Sequence, residues 1–461
     1  MDAGRAVRAV LGVGLLLTLT VGLPGHLSTD SVIQLAEGRA GIQRSFNPPF
    51  MSWFLGLLDS VLSGTALYLL CSAGLLFGAL SLLTRLSPRA HWIAVPVAIG
   101  LVLTPQLLVY QGLVWKDVFF ANTAIAAFAL VALAVQFDRS RLVRWSAWTG
   151  ALVLFVIAAL VRQNGILALV FAALVVGFID MRRQTRRPLL SGLKVAGAIL
   201  GAGFGLLVAA TLVLGVVIPQ ENPASKTAGF RIIMHYDLVG VLARDPQVAL
   251  PAIEAYQPAS ATVLRSVADD VYSPERVDRL SDVEAVGPAL WSLPNTVMRD
   301  TWLGLVRENF PLYLRHRLAV FGQVFMTPKL SACLPVHTGV QGPESVLVEL
   351  NMPARQDDRD YQLANYASRF FGTPIFSHVF FALLSLTVCA VLIIRRSDLD
   401  LVVLGLQISG LAFAGSFFLI SLACDYRYLY FLDLSSMVGI LYVAMQPPTG
   451  LRFPFPRTKP E

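Results

Sequence analysis

Five ionisable residues stand where an otherwise apolar chain has no evident need of charge. Asp30 lies in Ser28-Thr29-Asp30-Ser31, Lys116 and Asp117 follow Trp115, Arg162 opens Arg162-Gln163-Asn164-Gly165, and Arg427 closes Cys424-Asp425-Tyr426-Arg427. A positioned carboxylate can accept a proton in a transfer step, and fixed Arg and Lys side chains hold anionic groups such as phosphate. Each residue also has a plainer reading. Thr29 or Asp30 can cap a short helix, Lys116 and Asp117 can satisfy one another at a membrane edge, and either arginine can snorkel to an interface. Their shared position at one set of span ends argues for a common site at a lipid–water boundary, with carboxylates for proton transfer and cations for an anionic substrate group.

The elements that position them are membrane spans. Of the 461 residues, 56% are hydrophobic and 14% charged, with a mean hydropathy of +0.66, whereas soluble chains carry about a quarter charged residues. That composition excludes a soluble multidomain enzyme, a disordered chain and a fibrous protein. Apolar runs of about 20 residues mark ten spans, near 8–24, 62–84, 92–110, 118–136, 146–162, 165–181, 195–218, 375–394, 400–421 and 428–446. The first has Arg5 and Arg8 before it, as a signal peptide would, but Val21 to His26 offers no small-x-small cleavage site, so an uncleaved span is expected. One set of loops holds 17 Lys and Arg residues, against 5 in the short loops of the other set. The 17-rich side is therefore read as cytoplasmic, with both termini inside. The net charge of +7 follows from this asymmetry and does not indicate a nucleic-acid partner.

The first exterior loop should carry two juxtamembrane helices, one from Thr29 or Asp30 to about Ala40 and one from Phe50 to Leu62 after Asn47-Pro48-Pro49. Residues 219–373 hold 14 Lys/Arg and 17 Asp/Glu, close to the charge density of a soluble domain, and their patterns are mostly helical. Pro251 to Tyr256 and Ser273 to Asp282 read as short helices, the second capped by Ser273 with Pro274 in its first turn. Residues 298–325 carry one apolar face broken at Pro311. That face lies either in the membrane interface, with Arg307, Arg315, His316 and Arg317 toward headgroups, or in the core of the exterior domain. The fold class is thus an all-α polytopic membrane protein of about ten spans. The expected units are a seven-span membrane module over 1–218, an exterior domain over 219–373, and a three-span module over 374–461 with a loose Pro-rich tail from Gln446. Cys333 and Cys424 are both on the exterior side, where a disulfide is allowed, but nothing in the spacing pairs them.

These features resemble the integral-membrane glycosyltransferases of superfamily C, among them the protein O-mannosyltransferases and the aminoarabinose transferase of lipid A. The resemblance covers the first seven spans. It rests on Thr29-Asp30-Ser31 early in a long first exterior loop, two juxtamembrane helices there, the Pro-Pro start of the second, and Trp115-Lys116-Asp117 in the second exterior turn. It implies that Asp30 occupies the catalytic-base position and that the donor is a sugar on a polyprenyl phosphate. The chain departs from the family pattern in three places. Asn47 stands where a His often precedes the Pro, Asp30 lacks a second acid beside it, and the exterior domain falls between spans seven and eight.

The expected activity is transfer of a sugar from a polyprenyl-phosphate-linked donor to an acceptor hydroxyl, with inversion at the anomeric carbon. Asp30 would be the base, Arg162, Arg427 and Lys116 would stabilise the leaving phosphate, and Asn47 would contact substrate. Asp117 would orient Lys116, bind a sugar hydroxyl or help hold a divalent ion; no cofactor is otherwise implied. The acceptor is a glycolipid, polysaccharide or protein, the other partners are membrane lipids, and the setting is a bacterial plasma (inner) membrane. A lipid-linked oligosaccharide polymerase or ligase, and a transporter or flippase, remain as alternatives.

Overall fold

The computed structural model describes residues 2–87, 90–136, 140–222 and 225–447. Arg89 and Arg139 from the topology count, and the tail beyond 447, lie outside that range. Among the described residues the chain is helical, with isolated bridges in place of any sheet. Among the described residues nine helices are long and apolar enough to cross a membrane: Ala3–Gly22, Ala66–Arg85, Lys116–Gln136, Arg141–Val161, Gln163–Arg183, Pro188–Val217, His378–Arg395, Asp398–Ile420 and Tyr426–Met445. The expected third span is a bent pair, Ala94–Val102 and Pro105–Gly112, meeting at 63°. Pro105 supplies no N–H at the start of the second piece, and Thr104 Oγ1 donates to the Leu101 carbonyl (2.7 Å). The bend carries Tyr110 and Gln111 beneath the polar end of the bundle.

Lys116–Gln136 is the central helix. Ala121, Ala124, Ala127, Ala129 and Ala132 are buried along it, and small side chains let neighbouring membrane helices approach closely. Pro188–Val217 lies at the periphery, with Leu212, Val213 and Val216 exposed, as a lipid-facing helix requires. Arg183 pairs with Asp398 (2.6 Å), and Arg395 with Asp400 (2.6 Å). These pairs mark the end of the bundle opposite to Lys116, Arg162 and Arg427.

The two juxtamembrane helices are Thr29–Ala40 and Pro49–Val61. They cross at Gly38 and Gly56, where a Cβ on Gly38 would lie 2.1 Å from the Ser52 carbonyl oxygen, so only glycine permits the approach. The buried Glu37 carboxylate holds the connection by accepting from the backbone N–H of Arg44 (2.9 Å) and Ser45 (2.6 Å) and from Ser52 Oγ (2.7 Å).

Within 219–373, the helices Ser225–Leu242, Pro258–Val271, Asn295–Glu308 and Phe310–Met326 enclose a second apolar core of Leu238, Val239, Leu264, Met298 and Leu305. The 298–325 stretch breaks at Asn309, before Pro311. His316 and Arg317 do not face headgroups. Both are fully buried and meet Asp237 at 3.1 and 2.7 Å, the Arg317 guanidinium supplying the counter-charge that a buried carboxylate requires. Arg307 and Arg315 are exposed. The helix expected over Ser273 to Asp282 shrinks to a 3-10 turn, Val277–Ser281. The segment before it is drawn out against the loop after Ile420: Val277 N–H donates to the Leu422 carbonyl (2.7 Å), and Cys424 N–H to the Glu275 carbonyl (2.9 Å). Cys333 and Cys424 form a disulfide beside this seam.

Candidate active site

Residues 26–28 are clamped from both sides. His26 N–H donates to the Gly112 carbonyl (2.9 Å) and its carbonyl accepts from Val114 N–H (3.0 Å), while Leu27 makes the matching pair with Gly339 and Gln341 (both 2.9 Å). Ser28 is the N-cap residue of the first juxtamembrane helix, and its Oγ accepts from the Trp115 indole N–H (3.0 Å). Asp30 therefore lies in the first turn and is not the cap. Its carboxylate is free of that duty and turns to Arg427, whose Nη2 lies 2.8 Å from Oδ2.

Arg427 sits in the turn Tyr426–Leu429, only 7% exposed. Its guanidinium also reaches Asp425 (3.2 Å) and approaches Asp117 (3.9 Å), and it lies 5.0 Å over the Trp115 ring. Arg162 pairs with Asp117 and is packed between the rings of Phe417 (5.4 Å) and Tyr428 (5.2 Å). Neither arginine snorkels. Lys116 does not pair with its neighbour Asp117; its Nζ donates to Asn47 Oδ1 (2.6 Å), a neutral amide. Burial by itself would push the Asp30 carboxyl up. The charges of Arg427 and then Lys116 outweigh that and hold it below its ordinary value, so it is ionised at neutral pH.

The turn that carries Arg427 is braced from behind. The His378 ring stacks on Tyr426 at 4.0 Å and its Nδ1 meets Asp433 Oδ1 at 2.8 Å. Tyr430 OH donates to the Gln106 carbonyl (2.7 Å) and accepts from Gln111 Nε2 (2.9 Å).

A cleft of about 440 Å³ opens in front of this cluster. The bundle contributes Asp30, Asn47, Lys116, Asp425, Arg427 and Tyr428 to its lining, and the 219–373 segment contributes Ile232, His235, Arg276 and Trp291. Asp117 and Arg162 stand behind the wall. A larger cavity of about 520 Å³, lined by Trp145, Trp148 and Arg183 among apolar residues, opens at the other end of the bundle and touches none of these groups. The six candidates read from the sequence thus come together in two layers, four lining the cleft and two supporting them. Asp425, Tyr428 and Arg276 are additional participants. The charged turn containing Asp425 and Tyr428 is visible in the sequence. Nothing marks Arg276, which reaches Asp425 (3.3 Å) and the Ala332 carbonyl (2.8 Å) only because the seam is drawn out.

A divalent ion fits this arrangement poorly. Asp30 and Asp117 are each engaged by a guanidinium, and Lys116, Arg162, Arg276 and Arg427 crowd the same volume. Such a donor set favours an anion.

No family model matches the chain, and no curated protein matches it significantly. The likenesses that are found are to solved structures, at 13–15% identity. One is the archaeal oligosaccharyltransferase AglB from Archaeoglobus fulgidus in complex with an inhibitory peptide and a dolichol-phosphate, at 15% identity and a TM-score of 0.43, covering 95% of this chain and 50% of that one. Another is ArnT from Cupriavidus metallidurans bound to undecaprenyl phosphate, at 15% identity and a TM-score of 0.35, covering 95% and 77%. The chain spans about half the length of the oligosaccharyltransferase. A likeness of this size transfers no residue role.

Proposed function

We propose that this chain is a glycosyltransferase that moves a sugar from a polyprenyl-phosphate-linked donor to an acceptor hydroxyl on the exterior face of a bacterial plasma membrane. The observation that carries the reading is the Asp30 carboxylate, which lines the cleft together with Lys116 and pairs with Arg427. In this mechanism the donor phosphate takes a place on Arg427 and Lys116. Arg427 is then shared between phosphate and Asp30. That weakens the influence lowering the basicity of Asp30, so donor binding itself readies the base. Asp30 accepts the proton of the acceptor hydroxyl as its oxygen bonds to the anomeric carbon. The bond from that carbon to the phosphate oxygen breaks, and the charge on the departing polyprenyl phosphate is met by the two cations. One displacement inverts the anomeric centre. Arg162 and Asp117 support the wall from behind.

A transporter would need a polar path through the bundle. Among the described residues the ionisable groups of the spans cluster near span ends, as with His378–Asp433 at one end and Arg395–Asp400 at the other, which supports a surface site instead. The test is mass analysis of cell-envelope glycans and polyprenyl-phosphate sugars with and without the gene. One sugar should disappear from the glycan while its lipid-linked form accumulates. Unchanged glycans and unchanged lipid-linked sugars would overturn the reading.

A further inference from the structure

Trp291 ends the short helix Val286–Trp291 and lines the same cleft as Lys116 and Arg427. Other tryptophans near the site are consumed by the fold. Trp115 is 1% exposed and donates to Ser28, and Trp302 donates to Asp237 (2.7 Å). Trp291 is 48% exposed, and among the described residues its indole N–H has no hydrogen-bond partner. It is nevertheless held firmly. Arg231 stacks on its ring at 5.0 Å and gathers the carbonyls of Leu290 (2.9 Å), Trp291 (3.1 Å) and Leu293 (2.5 Å). The His235 ring meets it edge-on at 4.8 Å. Arg231 Nε donates to His235 Nε2 (3.2 Å), and burial pushes the His235 pKa down to about 3. His235 is therefore neutral and carries its proton on Nδ1. Phe46, 55% exposed, lines the same cleft together with Asp278 and Ser281.

A fixed, half-open aromatic ring with polar groups around it matches one ligand chemistry well. A pyranose presents C–H groups on a face and hydroxyls at its edge, so it needs an apolar plate and a ring of donors and acceptors. In a single displacement the acceptor hydroxyl lies between the Asp30 carboxylate and the anomeric carbon, so the body of the acceptor extends into the cleft that Asp30 and Trp291 both line. We propose that Trp291 is the stacking platform of an acceptor subsite for a pyranose sugar, so that the acceptor is itself a glycan. This rests on the transfer reading above and adds the acceptor class to it.

The test uses the full chain in lipid nanodiscs and saturation-transfer NMR with methyl glucoside, methyl galactoside and methyl mannoside, with undecaprenyl phosphate binding followed in parallel by thermal shift. At least one glycoside should receive saturation from the wild type. Trp291→Ala should weaken that binding about tenfold, the size of one lost aromatic contact, Trp291→Phe should retain most of it, and undecaprenyl phosphate should shift all three proteins equally. Glycoside binding unchanged in Trp291→Ala overturns the platform. So does an equal loss of glycoside and undecaprenyl phosphate, which would make Trp291 a lipid contact or a folding residue, and so does a wild type that binds undecaprenyl phosphate but no glycoside. Glycosides bound at Trp291 without any response to undecaprenyl phosphate would instead overturn the transfer reading, and with it the acceptor role.

Discussion

Asp30→Asn separates catalysis from folding, because the structure removes the main structural reason for an acid at that position. Ser28 is the N-cap residue, so the substitution leaves the start of the helix in place. What the fold loses is the favourable interaction of a carboxylate with the first turn, about 0.3–1 kcal/mol, together with one charged partner of Arg427. That guanidinium keeps Asp425 at 3.2 Å. The asparagine cannot take up a hydroxyl proton at neutral pH, and general-base catalysis contributes about 10²–10⁴-fold, equivalent to roughly 3–5 kcal/mol of barrier. The expected variant is folded, inserted and able to bind donor, with turnover reduced by that factor. The assay is single-turnover transfer from a radiolabelled polyprenyl-phosphate sugar in proteoliposomes, with undecaprenyl phosphate binding measured on the same preparation. Transfer within about tenfold of wild type would refute the assignment of the base, and a protein that no longer folds would refute the argument about the cap.

Arg427→Lys should keep a charge but lose both the paired hydrogen bonds and the contact with Trp115, so donor binding should weaken only partly, whereas Arg427→Ala should abolish it; equal binding by both variants would deny a phosphate contact. Asp30 is held low by its cations, so its basic form should persist through neutral pH and be lost only as pH falls into the acid range. Lys116→Gln removes one of those cations and should move the acid limb of kcat/KM upward; a limb that moves down would contradict the geometry. Cys424→Ser opens a link across 91 residues and should cost about 2–4 kcal/mol, read as a lower midpoint of thermal unfolding in detergent. With the disulfide kept and Cys71 and Cys389 replaced, a cysteine at Asp270 should react with an impermeant maleimide on intact cells and one at Arg186 should not, and the reverse labelling would place the cleft on the other face.

The sequence by itself determined the spans, because twenty apolar residues can satisfy their backbone in lipid only as a helix, and that requirement is local. The juxtamembrane helices were legible for a similar reason: a capping residue opens the first and Asn47-Pro48-Pro49 punctuates the chain before the second. The residues of the cleft were legible as types, since charge at a span end is costly wherever the chain goes next. Their partners were not. Asp117 bonds Arg162, 45 positions away, and passes over the adjacent Lys116, which turns to Asn47; Asp30 finds Arg427 across 397 positions. Adjacent residues at the start of a helix point about 100° apart, so a neighbour in sequence is a poor candidate for a contact, and which distant side chain fills the gap depends on how whole helices pack. The same holds for Cys333 and Cys424, for His316 and Arg317, which the apolar pattern placed equally well at headgroups or in a core, and for Arg276 and Trp291. Those two reach the cleft only because the 219–373 segment folds back over the span ends, and such a fold is held by contacts between residues far apart in the chain.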